Sequence, residues 1–371
     1  MNAEILVPGT ATVAAAAQEE LKTEWGNNAR HSRRQSTLSN YRAQWRMFSE
    51  WASACGRVDL PALPETVGMY LQHRAERGAS LSTLRVILAG IKYAHKLGSQ
   101  PLELDTDPEF ARSWEGMQRN LAAVPQAKRA FMVSDLRTYI ANLEATIAAE
   151  STQPGTRLQA LRDRAILLLG HSTACRRSEL AGLDVWQSDG AAGWLDFDGT
   201  DLFVVLWRHK TSGRSSDPRR ILVAPTSSLC AVTALREWLE ATDIESGPVF
   251  RTMSRDRRVQ AKRMTGEDIA RAVKKAVKYL RGIAAKKAEL ADAAGDAAAA
   301  KDARADLDRL KPEAFGAHSL RAGFITAADA AGVSIGVIKD RAGHASVATT
   351  SRYLRPKQDA KILETIYSAE G

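Results

Sequence analysis

The stretch from His318 to Tyr353, HSLRAGFITAADAAGVSIGVIKDRAGHASVATTSRY, decides the reading of the whole chain. Its pattern is that of short helices punctuated by Gly332 and Gly343, with Pro356 just past its end. His318 and Arg321 open one of these helices and, being three positions apart, share a face. Arg321 stands 23 positions before His344, and His344 stands 9 before Tyr353. Two blocks upstream belong with this stretch: Thr173-Ala174-Cys175-Arg176-Arg177-Ser178-Glu179-Leu180, and His209-Lys210-Thr211 in an expected hairpin loop.

These residue types suit chemistry on a phosphodiester. Arginine is always charged, and its planar fork matches phosphate oxygens. Two arginines on one phosphate would stabilise the extra charge of a pentacovalent transition state, and one well-placed donor is worth roughly 3–4 kcal/mol. A lysine can protonate a leaving alkoxide, a histidine can act as acid, base or donor, and a tyrosine can attack phosphorus and hold it covalently. Free tyrosine has a pKa of about 10, so about one in a thousand is ionised at neutral pH, and nearby cations would favour the phenolate. Taken singly each residue is ordinary. Arg176 and Glu179 make a common i,i+3 pair, Lys210 suits a solvated loop, and Tyr353 near Val347, Thr350 and Leu354 suits packing.

Outward from these blocks, the second part of the chain starts near Phe131. Helices are expected over 134–149, 157–171, 226–241 and 265–281. Strands are expected from Trp194 to Phe197, Leu202 to Trp207 and Arg220 to Ala224, the last two separated by the turn-rich 211–218. Residues 283–311 are rich in Ala, Asp and Lys and read as a solvated helix or helical hairpin broken near Gly295, or as an arm that touches DNA or a neighbouring subunit. The first third carries helical periods: Leu38, Tyr41, Trp45, Phe48 and Ala52, then a helix opened by Pro64, then Leu84, Ile87, Leu88, Ile91 and Ala94 behind a Ser80 or Ser82 cap, then one opened by Pro108. The expected fold class is mainly α with a small β-sheet: a flexible N-terminus (1–30), an all-helical domain (31–125), a linker (126–130) and an α+β domain (131–371).

Composition bounds the partners. The chain has 371 residues and a net charge of +9, which favours a polyanion. Cys55, Cys175 and Cys230 are far apart and odd in number, which argues against a disulfide framework or a zinc site and for a reducing cytoplasm. Cys175 beside Arg176 and Arg177 reads as a small core residue rather than a reactive thiol. No apolar run is long enough for a membrane span, and no signal peptide is read.

With these motifs the chain resembles the tyrosine recombinases, or phage integrase family, and within it the Cre/Xer-type site-specific recombinases. That family carries an R…K…H-x-x-R…H/W…Y set, and the Arg176 block resembles its T-G-L-R-x-S-E-L, with Ala174-Cys175 in place of Gly-Leu. The resemblance implies an all-helical core-binding domain and an α+β tyrosine recombinase catalytic domain that clamp a duplex from two faces. It implies that Tyr353 attacks the scissile phosphate to form a 3′-phosphotyrosyl link, that Arg176 and Arg321 clamp the non-bridging oxygens, and that Lys210 is the general acid for the leaving 5′-oxygen. It further implies that His318 is an acid/base, that His344 donates to the phosphate, and that Glu179 supports the site. No cofactor and no metal are expected. The implied partner is double-stranded DNA with inverted-repeat half-sites, bound by a dimer on one site and a homotetramer on two. A short helix over 358–368, with Ala360, Leu363, Ile366 and Tyr367 apolar, would dock on a neighbouring subunit. Arg42, Thr83, Arg85 and Lys92 are candidate DNA contacts, and the basic stretch from Arg251 to Arg263 could follow a backbone. Localisation would be cytoplasmic, at the nucleoid. The alternatives are a type IB topoisomerase, a DNA-binding accessory protein without catalysis, and a transcription regulator using the N-terminal helices.

Overall fold

A computed structural model describes residues 35–121, 128–207, 218–351 and 353, with side chains from residue 37 onward. The N-terminal residues 1–30, His209, Lys210, Thr211 and the tail helix expected over 358–368 lie outside the described residues, as do the first two linker positions. Two units divide the chain between Gln126 and Ala127.

The first unit is built from α1 (Gln35–Ala54), α2 (Pro64–Glu76), α3 (Leu81–Leu97) and α4 (Pro108–Asn120). Their starts follow from local chemistry. Pro64 and Pro108 open helices at positions that need no N–H donor. The Ser80 hydroxyl accepts from the Thr83 N–H, and the Asp107 carboxylate accepts from the Phe110 N–H. The apolar stripes then meet in one core of Phe48, Val67, Tyr70, Leu84, Ile87 and Ile91. His95 is buried inside it, with Nε2 accepting from the Ala62 N–H and Nδ1 against the Ile91 carbonyl. Both contacts are met by the neutral Nδ1–H tautomer.

The second unit begins where Phe131, fully buried, donates its N–H to the Ser319 carbonyl. Helices α5 (Val133–Ala148) and α6 (Pro154–Thr173) follow. From Ala160 to Gly170 every residue of α6 is buried, so it is the axis of this unit rather than a one-faced surface helix. After α7 (Arg177–Ala181) comes a four-stranded sheet in the order β1 (Leu183–Asp184), β2 (Gly193–Asp198), β3 (Asp201–Leu206), β4 (Arg219–Val223). β1 runs parallel to β2, and the other pairs are antiparallel, with Trp194 opposite Val205 and Val204 opposite Ile221. β1 is too short for a period-two pattern to announce it.

Next are α8 (Ala231–Ala241) and a hairpin of β5 (Arg251–Met253) and β6 (Val259–Arg263). The sequence showed only a basic stretch here. Arg251 donates to the Pro248 and Ser246 carbonyls, and Arg263 to Asp184 and the Leu183 carbonyl, so the two arginines at its ends hold the hairpin in place. Helix α9 (Gly266–Ala293) is far longer than the expected 265–281, and α10 (Ala297–Arg309) folds back on it after Gly295. Ala284, Ala288 and Ala291 of α9 and Ala300 and Ala303 of α10 are buried, a seam of small side chains that lets the two helices lie close. Helices α11 (His318–Ala330), α12 (Ile335–Ala342) and α13 (Val347–Ser351) complete the unit. No described helix is long and apolar enough to cross a membrane.

Candidate active site

Helix α6 ends at Ala174, whose φ of 51° is left-handed. This is the position where the resembling motif has Gly, a residue that enters that region without a steric penalty. The reversal sends Arg176 out as the N-cap of α7. Its N–H donates to Glu179 Oε2 at 2.7 Å, its Nη1 donates to Glu179 Oε1 at 2.6 Å, and its Nη2 donates to the Gly343 carbonyl at 2.8 Å. Burial pushes the Glu179 carboxyl up, but the Arg176 N–H and the charges of Arg176 and Arg219 outweigh it and hold it below its ordinary value.

Arg321 rises from α11 and is only 2% exposed. Its Nη1 donates to the Ala174 carbonyl at 2.8 Å, while its buried Nη2 has no hydrogen-bond partner among the described residues. Burial, and then the neighbouring Arg176, push its pKa down to about 10. It remains charged at neutral pH, and it is a cation under electrostatic stress that an anion would relieve.

His344 follows Gly343, the left-handed cap of α12, whose φ is 63°. Its Nδ1 lies 2.8 Å from Thr350 Oγ1, and its ring stacks on Tyr353 with centroids 5.7 Å apart and planes 15° apart. Burial first, then the charges of Arg321, Arg176 and Arg219, push its pKa down to about 4, so it is neutral at physiological pH. Tyr353 is half-buried against the small cluster of Ala174, Ile325, Ala328, Ile338 and Ala342, and its oxygen is close enough to Arg321 to interact electrostatically. His318, at the first turn of α11, is exposed and contributes to the field at His344.

Arg176, Glu179, Arg321, His344 and Tyr353 therefore meet in one place, with His318 within electrostatic reach, while Lys210 lies outside the described residues. The candidate DNA contacts belong to the first unit. Arg42 is exposed, Arg85 donates to Gln118 at 3.0 Å, Lys92 pairs with Asp105 at 2.9 Å, and the Thr83 hydroxyl bonds to the Ser80 cap at 3.0 Å. Cys175 is buried, and burial pushes its thiol up to about 11 despite Arg219 and Arg321, so it is an inert core residue. Elsewhere in this unit, a cavity of about 830 Å³ is lined by Arg162, Asp163, Arg257, Lys262, Arg271 and Lys275.

Two arginines of this neighbourhood carry no motif and were missed in the sequence. Arg219 opens β4, and Arg341 lies in the last turn of α12, where its Nε donates to the Ser172 carbonyl and its Nη2 to the Leu222 carbonyl. Thr350, the partner of the His344 ring, was equally silent.

Residues 141–359, more than half of the chain, match the model of the phage integrase family. A curated protein, the integrase/recombinase XerD homolog of Selenomonas ruminantium, is 25% identical over 342 residues, covering 91% of this chain and 86% of that protein. Among solved structures, the Tn1549 transposon integrase in complex with transposon right-end DNA aligns over 93% of this chain and 98% of its own, at 14% identity and a TM-score of 0.54. The XerH site-specific recombinase bound to its difH substrate in a pre-cleavage complex covers 90% of this chain and 79% of its own, at 15% identity and a TM-score of 0.51. At these identities the two structures speak for the fold.

Proposed function

Because the chain belongs to the phage integrase family, we infer that it is a site-specific DNA recombinase that breaks and rejoins DNA through a 3′-phosphotyrosyl intermediate. Of the two solved structures named above, XerH is bound to its difH substrate and the Tn1549 integrase is in complex with transposon right-end DNA. The Tyr353 hydroxyl attacks the scissile phosphorus as the bond to the 5′-oxygen breaks. The phenolic proton leaves toward His318, and Lys210 supplies the proton that the departing 5′-oxygen takes up. Arg176 and Arg321 hold the non-bridging oxygens. His344, neutral, accepts from the Thr350 hydroxyl at Nδ1 and presents Nε2–H to the phosphate. Glu179 keeps the Arg176 guanidinium in orientation. Reversal of the same steps, with a 5′-hydroxyl from a second duplex as the attacker, joins the exchanged strand. The observation that carries this reading is the buried Arg321 Nη2, a donor with no described partner, set close to Tyr353 in a cluster of cations.

On this reading DNA is held by the basic surfaces of both units through phosphate contacts, and base reading falls to the helices of the first unit, where Arg42, Arg85 and Lys92 are the exposed candidates. Two protomers occupy the inverted half-sites of one duplex, and four assemble when two duplexes meet, with the 358–368 segment docking on a neighbour. The protein then works where the nucleoid is. Nothing in the fold favours the topoisomerase, accessory or regulator alternatives. The test starts from sites recovered by covalent capture on a randomised pool of nicked duplexes. Two copies are placed in one plasmid, and the expected products are deletion or inversion circles with exchanged flanks. Relaxation of the plasmid with no recombinants would favour a topoisomerase and overturn the strand-exchange assignment.

A further inference from the structure

Arg219 is absent from every motif that marks the site, yet it touches two of the site's supports. It opens β4, and its side chain is 14% exposed. Its Nη1 donates to the Arg341 carbonyl at 2.9 Å, and its Nη2 pairs with Glu179 Oε2 at 3.5 Å. Glu179 is the carboxylate that orients Arg176, and the Arg341 carbonyl lies in the last turn of α12, just before Gly343 and His344. The contact is reciprocated, since Arg341 donates back to the Leu222 carbonyl of β4. Gly343 makes room for this link: a Cβ there would collide with the Arg219 guanidinium. One planar fork thus spans from β4 to the two backbone and carboxylate groups that set Arg176 and His344. A lysine, with a single point of charge, cannot hold both in these directions.

We propose that Arg219 is a positioning residue of the strand-cleavage site, acting through Glu179 on Arg176 and through the Arg341 carbonyl on the Gly343–His344 turn. The inference rests on the catalytic reading above. Small displacements of groups around a reacting centre cost up to about a hundredfold in rate, while leaving DNA affinity to the wider phosphate contacts.

The experiment is single-turnover cleavage of captured nicked duplexes by wild type, Arg219→Gln, Arg219→Lys, Glu179→Gln and the Arg219→Gln/Glu179→Gln double variant. Arg219→Gln is expected to cleave roughly ten- to a hundredfold more slowly at saturating DNA, with its half-saturating DNA concentration within about twofold of wild type. Arg219→Lys should recover part of that loss. The double variant should lose less than the product of the two single losses, because both act on one link. Wild-type rate in Arg219→Gln, a defect confined to DNA affinity, or strictly multiplicative losses would overturn the proposal. Failure of the wild type itself to form adduct would instead bring down the catalytic reading, and this inference with it.

Discussion

At the scale of single residues, identity was legible and burial was not. The spacing of Arg321, His344 and Tyr353 could be read directly, because it matches the set that the phage integrase family carries. What no spacing announces is that Arg321 is almost wholly buried with one donor unmet, or that Thr350 faces the His344 ring. The same blindness applies to His171, near the end of α6. Its Nε2 has no described partner, and burial pushes its pKa down to about 4 from an ordinary 6.5, as burial and the arginines do for His344. The sign follows from proton counting. Between those two values the unfolded chain binds protons that the fold refuses, so stability is fully present above pH 6.5 and is lost as pH falls toward 4. Comparing urea unfolding at pH 7 and pH 5, we expect the wild type to lose about 1–2 kcal/mol more than His171→Gln, which has no proton to take up. Equal losses in the two proteins would contradict a His171 held neutral with its Nε2 buried.

At the scale of elements, the helices of the first unit were readable because their caps and stripes are local. The sheet was readable in part: β2, β3 and β4 came through by alternation, whereas β1 has two residues and β5–β6 is tied down by Arg263, whose partners Leu183 and Asp184 are distant in sequence. The α9–α10 pair takes the form of the helical hairpin broken near Gly295 that the sequence allows. Its low content of large apolar residues suggests a solvated insertion, but alanines seal the two helices, and α10 is further anchored to α5. Arg309 donates through both Nη atoms to the buried Asp135 at 2.6 and 2.8 Å, and those bonds raise its pKa. Asp135→Ala leaves that guanidinium, about one third exposed, without its main partner. The expected cost is roughly 1–3 kcal/mol, reduced from that of a fully buried pair by solvent screening. Hydrogen exchange should quicken in α10 before it does in α6. Unchanged exchange in α10 would mean that the alanine seam alone holds the hairpin.

At the scale of the whole molecule, a charge of +9 and two independently cored units are what a protein needs to hold DNA by its backbone while one unit carries the chemistry. Charge alone would equally suit a passive binder; the converging site is what separates an enzyme from one. The account therefore stands on covalent attack by Tyr353. The direct measurement is denaturing capture of nicked duplexes by the wild type and by Tyr353→Phe, with the adduct mapped by mass spectrometry. Phenylalanine keeps the ring that stacks on His344 and removes only the hydroxyl, so DNA binding and folding should be unchanged. The wild type should yield a protein–DNA adduct linked through a 3′-phosphate to Tyr353, and Tyr353→Phe should yield none. An adduct that survives in Tyr353→Phe, or one that maps to another residue, would contradict the account.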